Sequence, residues 1–262
     1  MQRRSIISIP WVESLTSLTS PIVVVENLVK VYQKNIRAVD NISFYVYPGE
    51  IFGLIGPNGA GKTTILRIIA TILQPTQGKV IVNNYDVIKD APKVREIISY
   101  LPEDAGAYKY LTGLEFLEFI AKLYTKDSKK VDEYLEIGVK LSGLGERLND
   151  KVKTYSKGML RRLLIAKTLM VKPKVAILDE PTSGLDVINA VHVREAIKKF
   201  AKETGGTVLL SSHNMLEVEY LCDKVAIIHK GKILAIGRPK ELLEKFEVQN
   251  LEEVFVKLAS GV

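Results

Sequence analysis

From Pro21 onward, short runs of β-branched and other apolar residues alternate with amphipathic stretches. IVVVENLVKVY at 22–32, ISFYVY at 42–47 and IFGLIG at 51–56 read as strands, with Pro48-Gly49 turning the chain between the second and third. These early strands are expected to form a small sheet beside the main core. Thr63 to Leu73 follows as a helix that is apolar almost all round, Arg67 excepted, a pattern that predicts burial. Gln74 to Gly78 ends it.

Between Asp104 and Thr154 the period lengthens to that of helices broken by glycine, seen in LTGLEFLEFIAKLY at 111–124 and VDEYLEIGVKLSGLG at 131–145. Short apolar runs then return at VAILD (175–179), TVLLSS (207–212) and VAIIH (225–229), with helical stretches between them. Strand alternating with helix predicts a parallel sheet. Lys232 to Val262 carries one more strand-like piece and two short amphipathic helices, and no internal repeat is visible.

Composition narrows the class. The chain has 47% hydrophobic and 26% charged residues, neither a disordered nor a membrane-spanning composition. No run reaches the roughly 18–20 apolar residues of a membrane-spanning helix, since Arg67, Lys79 and Pro173 interrupt the longest. A net charge of +7 favours anionic company, but the basic residues are spread rather than blocked, which is also what a solvated surface looks like. Cys222 stands alone, so no internal disulfide can form, and a small core residue in a reducing compartment is expected. Arg3, Arg4, a short apolar run ended by Pro10 and the Ser/Thr-rich segment 14–20 lack the continuous apolar stretch of a secretory signal, so residues 1–20 are expected to be a disordered tail.

GPNGAGKT at 56–63 spaces Gly, four residues, Gly, Lys and Thr between a strand and a buried helix. Gly56, Gly59 and Gly61 allow the tight turn, with Pro57, Asn58 and Ala60 between them, so that successive N–H groups and a helix N-terminus can face phosphate oxygens. Lys62 supplies a point charge to the β- and γ-phosphates. Thr63 offers a hydroxyl to Mg²⁺, and Thr64 reaches the α- or β-phosphate. VAILDE at 175–180 ends an apolar strand in two carboxylates. A helix N-cap is one use for such a pair. The other is catalytic, with Asp179 holding Mg²⁺ through water and Glu180 orienting or deprotonating the attacking water.

With both elements present, the chain resembles the ABC transporter ATPase family. YSKGM at 155–159 is similar to that family's signature sequence, keeping Ser156 and Gly158 with Tyr155, Lys157 and Met159 at the other positions. SGLD at 183–186 matches its D-loop, ending in Asp186, and His213 after TVLLSS matches its switch histidine. Tyr32 resembles the aromatic that stacks on adenine, although a strand-end tyrosine is the plain alternative. In YLPEDAG at 100–106, Glu103 occupies the place of the family's Mg²⁺-sensing glutamine. His192 and His229 match no motif and are read as structural.

The resemblance covers residues 22–237 and implies an α/β phosphate-loop ATPase core: a mostly parallel sheet, a small antiparallel β subdomain and a helical insert near 104–158. It places the ATPase domain at 21–237 and a helical extension at 238–262. It implies ATP and Mg²⁺ as cofactors, ATP hydrolysis coupled to transport, and catalytic roles for Lys62, Glu180 and His213. Ser156, Gly158 and Asp186 would serve the nucleotide of a second ATP-binding subunit, identical or related. A separate transmembrane permease subunit would dock outside, with this chain peripheral on the cytoplasmic face of the membrane.

Glu103, the Ser-Lys-Gly-Met signature and LEEVFVKLA at 251–259 resemble the ABC-2 type branch, which favours export. The alternative is an ABC-class ATPase acting on ribosomes or nucleic acid; one phosphate loop and one cysteine speak against it, and no nucleic acid is expected. No Asn-Lys-x-Asp guanine motif is present.

Overall fold

A computed structural model describes residues 20–260, so the expected N-terminal tail falls outside the described residues but for Ser20. In chain order the strands are β1 (Val23–Tyr32), β2 (Ile36–Val46), β3 (Ile51–Ile55), β4 (Gln77–Val82), β5 (Tyr85–Asp86), β6 (Ile98–Leu101), β7 (Val175–Leu178), β8 (Thr207–Ser212), β9 (Lys224–His229) and β10 (Lys232–Gly237). The helices are α1 (Lys62–Ile69), α2 (Ala91–Ile97), α3 (Gly113–Tyr124), α4 (Ser128–Ser142), α5 (Lys157–Leu169), α6 (Val187–Thr204), α7 (Met215–Leu221), α8 (Pro239–Phe246) and α9 (Leu251–Ser260).

The main sheet runs β10-β9-β3-β8-β7-β6, parallel from β9 to β6, with β10 antiparallel on the β9 edge. A second sheet, β2-β1-β4-β5, is antiparallel throughout. The expected α/β architecture with a small antiparallel sheet is therefore present. One assignment changes: the third early run, IFGLIG, enters the main sheet as β3 rather than the small one. Its five residues are all buried, as a strand covered on both faces must be, whereas the latter half of β2 alternates buried and exposed.

Three further differences are local. The helix expected over 63–73 stops at Ile69, because Thr71 turns the chain with φ 63°. β4 begins within the segment read as its terminator, and its pairing with β1, not any period of its own, makes it a strand. β6, only four residues long, carries too few positions to show a period.

Two clusters of buried residues cover the faces of the main sheet. On one face Phe52, Leu54, Ile177 and Leu209 pack against α1 and the small sheet, and Phe44 stacks on Phe52 with ring centres 5.2 Å apart. On the other, Ile55, Leu178 and Leu210 meet side chains of α3, α5, α6, α7 and α9. Ile65, Leu66, Ile68 and Ile69 of α1 are fully buried, and each such burial is worth about 1.5–3 kcal/mol. That anchorage fixes the N-terminus of α1 directly beyond β3, where the chemistry gathers. Cys222 is buried as expected, and burial pushes its thiol well above the usual value.

Candidate functional site

Because β3, β7 and β8 are parallel neighbours, their C-terminal ends deliver three segments to one edge of the sheet. Residues 56–64 follow β3, Asp179-Glu180 follows β7, and His213 follows β8. The first segment needs glycine for two reasons at two positions. Gly56 (φ 153°) passes so close to the neighbouring strand that a Cβ would lie 2.1 Å from the Ile228 carbonyl oxygen. Gly61 (φ 108°) lies in a left-handed conformation, with a Cβ placed 2.4 Å from the Ala38 oxygen.

The resulting loop presents unused donors. Ala60 N–H returns to the Pro57 carbonyl, and Ile65 N–H begins the helical ladder by bonding Gly61. The N–H groups of Asn58, Gly59, Gly61, Lys62, Thr63 and Thr64 have no backbone acceptor outside the regular elements among the described residues. A row of free N–H groups ending at the positive end of a buried helix suits a polyphosphate. Lys62, buried at 5% exposure, turns its Nζ into the loop, donating to the Gly56 oxygen at 2.6 Å and the Pro57 oxygen at 3.1 Å. Tyr32 reaches the same loop, its hydroxyl 3.2 Å from Thr64 Oγ1 and its ring part-exposed.

The two carboxylates have different surroundings. Asp179 is fully buried and ringed by hydroxyls: Ser211 Oγ donates at 2.6 Å and Thr63 Oγ1 at 3.1 Å to Oδ1, and Tyr100 OH at 3.4 Å to Oδ2. Burial and the nearby Asp179 charge push the Tyr100 phenol upward, keeping it a donor. Glu180 sits at φ 48°, a left-handed conformation that costs a non-glycine residue of order 1 kcal/mol or more and clusters at functional sites. Its N–H donates to Ser211 Oγ at 2.9 Å. Oε2 is 2.8 Å from His213 Nδ1 and accepts the His213 N–H at 3.3 Å. Oε1 faces Lys62 Nζ across 3.3 Å as an ion pair without hydrogen-bond alignment.

Hard oxygens at Thr63 and Asp179 fit a Mg²⁺ ion that takes most of its remaining ligands from phosphates and water. No cluster of three or more His, Cys, Asp or Glu side chains able to hold a metal occurs among the described residues. Glu103 is exposed, and its carboxylate makes no ion pair among the described residues. It lines a cleft with Lys157, Glu180 and Ser183, so it borders the site without joining the Thr63–Asp179 pair.

Ser156, Gly158 and Asp186 form a separate group. Ser156 caps α5, its Oγ accepting from Met159 N–H at 3.2 Å. Asp186 caps α6 by accepting the Asn189 N–H at 3.0 Å, and its second oxygen accepts from Asn189 Nδ2 at 2.6 Å. These bonds hold its carboxyl below the usual range. Asn189 in turn lies against Gly158, where a Cβ would fall 2.3 Å from Nδ2. No hydrogen bond or ion pair joins this group to residues 56–64 among the described residues. Sequence reasoning missed Ser211, Tyr100 and Asn189. The paired serines ending an apolar strand were a signal for the first; nothing local marks the others. His192 takes part in none of this, and His229 stacks edge-on against Phe255.

Comparison with known proteins agrees with this layout. The ABC transporter family profile matches residues 39–183. The linearmycin resistance ATP-binding protein LnrL of Bacillus subtilis is 40% identical over 84% of this chain and 70% of its own. The ABC transporter ATP-binding protein NatA of the same organism is 36% identical over 88% and 94%. Among solved structures, the ATP-binding cassette MJ0796, seen as a dimer in a post-hydrolysis state bound to ADP and Pi, superposes with a TM-score of 0.74 at 25% identity, covering 82% of this chain and 98% of that one. By its sequence, its fold and its relatives, the chain belongs to the ABC transporter ATP-binding proteins.

Proposed function

We propose that this chain hydrolyses MgATP between two ATP-binding subunits and so drives a separate transmembrane permease, most simply in the direction of export. The observation that carries the reading is the line from buried Lys62 through buried Glu180 to the exposed His213, beside the Thr63–Asp179 pair. Lys62 and the 56–64 loop bind the phosphates. Tyr32 stacks on the base. Thr63 and Asp179 would hold Mg²⁺, which would supply positive charge against the phosphates when bound, with Glu103 bordering the cleft.

Glu180 accepts a proton from the attacking water, and His213 holds the Glu180 carboxylate and the water in line. In this arrangement Lys62 and His213 pin the two oxygens of one carboxylate, so the base is oriented before nucleotide arrives.

Ser156 and Gly158 at the start of α5, and Asp186, whose partner Asn189 lies against Gly158, serve the nucleotide of the second subunit. The N-terminus of α5 offers its N–H groups and dipole to that terminal phosphate. Loss of the phosphate opens the pair. The dimeric MJ0796 cassette with ADP and Pi supports this arrangement. Exposed Phe119, Leu123 and Tyr124 on α3 supply an apolar face for the permease, and the region around 104–158 carries the motion to it. No described helix is long and apolar enough to cross a membrane. Placement on the cytoplasmic membrane face follows from that partner. Export is supported by the ABC-2-like motifs and by a relative named for resistance to a compound.

Phosphate release from ATP by the purified chain, with and without Mg²⁺, tests the reading. Hydrolysis is expected with Mg²⁺. Lys62→Ala, which removes a charged donor worth about 1.5–3 kcal/mol, is expected to weaken ATP binding on the order of tenfold or more. Wild-type affinity in that variant would refute the assignment of Lys62.

A further inference from the structure

Arg161 lies on α5, just past the Ser156–Gly158 segment, and is only 7% exposed. All five of its N–H donors are used, every one on a backbone carbonyl. Nε bonds Pro181 at 2.8 Å. Nη1 bonds Pro102 at 3.2 Å and Glu103 at 3.0 Å. Nη2 bonds Asp179 at 2.8 Å and Glu180 at 2.7 Å. Neither the phosphate-loop chemistry nor the family motifs assign it a role.

A buried guanidinium with no carboxylate bonded to it among the described residues is an unusual choice for stability alone, because desolvating its charge is costly and an apolar side chain would fill the space. Its planar fork does what no other side chain can: it gathers five carbonyls from two separate loops in one plane-directed set. Those loops are the ones that carry Glu103 and Glu180. One of the carbonyls belongs to Glu180 itself, whose left-handed backbone needs an external hold.

We propose that Arg161 is a positioning residue of the hydrolytic site. It fixes the Glu180 peptide in the left-handed conformation that aims the carboxylate at Lys62 and His213, and it ties that peptide to the Glu103 segment and to α5. A shift of α5, the helix whose N-terminus faces the second subunit's nucleotide, is thereby felt at the base of its own site. The inference rests on the reading of Glu180 as that base.

The test compares Arg161→Gln, the conservative Arg161→Lys and Glu180→Gln, singly and combined. Single-turnover hydrolysis rates, steady-state kcat and KM, affinity for a fluorescent ATP analogue and thermal melting are measured on the full chain. Misplacing a catalytic group by about 1 Å costs on the order of 100-fold in rate, so Arg161→Gln is expected to lower kcat by roughly 10- to 100-fold. Analogue affinity is expected to stay near the wild-type value, with Arg161→Lys recovering part of the rate. In the Glu180→Gln background the Arg161 substitutions are expected to cost nothing further.

A lowered melting temperature with unchanged kcat, or the same rate loss in both backgrounds, overturns the proposal. Should Arg161→Gln not fold, Arg161→Lys is read by the same criteria. If Arg161→Gln keeps full activity while Glu180→Gln loses it, the inference fails and the reading of Glu180 stands; full activity in Glu180→Gln removes both.

Discussion

The Thr63 hydroxyl donates to Asp179 Oδ1 across 3.1 Å, although 116 positions separate the two residues in the chain. One begins α1 and the other follows β7, so the bond exists only because the main sheet sets the ends of β3 and β7 on the same edge. A hydroxyl and a fully buried carboxylate held this way are oxygen donors of the kind a small hard cation takes, and the proposed function assigns them to Mg²⁺.

Thr63→Val, which removes the hydroxyl at nearly constant volume, is therefore expected to raise the Mg²⁺ concentration needed for half-maximal hydrolysis. Losing one hydrogen bond or ligand worth about 1.4 kcal/mol corresponds to about tenfold. A Mg²⁺ titration of ATPase activity checks it; an unchanged midpoint would remove Thr63 from the metal site.

Ser211 links the Asp179 carboxylate to the Glu180 backbone, donating to Asp179 and accepting from the Glu180 N–H. Ser211→Ala leaves a buried carboxylate oxygen and a buried N–H each short of a partner, which costs about 1–3 kcal/mol apiece. Thermal or urea denaturation is expected to show a clear loss of stability, accompanied by a fall in kcat. A variant as stable and as active as the parent would show that Asp179 and Glu180 do not depend on it.

Much of this architecture is legible in the order of residues. The 56–64 loop, the acidic end of VAILDE and the buried α1 each announce themselves locally, because a glycine spacing, a charge pair after apolar residues and a lack of polar positions are all visible in one dimension. β4 and β6 are not, since each is defined by its partner: β4 by pairing with β1, β6 by pairing with β7. The same distinction explains the site residues that went unseen. Tyr100 reaches Asp179 only through the β6–β7 pairing, and Asn189 meets Gly158 only because α6 packs on α5. The misplacement of IFGLIG arises because a run of apolar residues does not say which of two sheets will cover it.

Asp186 adds a pH dependence whose sign is fixed. Hydrogen bonds from Asn189 depress its carboxyl in the folded chain, so its contribution to stability is present above the ordinary aspartate range and is lost as pH falls through the lowered folded value. Asp186→Ala is accordingly expected to melt at a lower temperature than the parent at neutral pH, with the gap narrowing on acidification toward pH 3. Melting curves across pH 7 to 3 check this, and a gap that widens on acidification would contradict the capping role.

In the proposed function, Glu180 is the group whose action releases two ATP-bound copies from one another. Glu180→Gln keeps the shape of the side chain and removes its basicity. Light-scattering mass measured on that variant with saturating MgATP tests the claim most directly. The mass of a dimer that reverts to monomer when ATP is replaced by ADP is the predicted result. A monomer at every nucleotide concentration, together with hydrolysis at the parental rate, would contradict it.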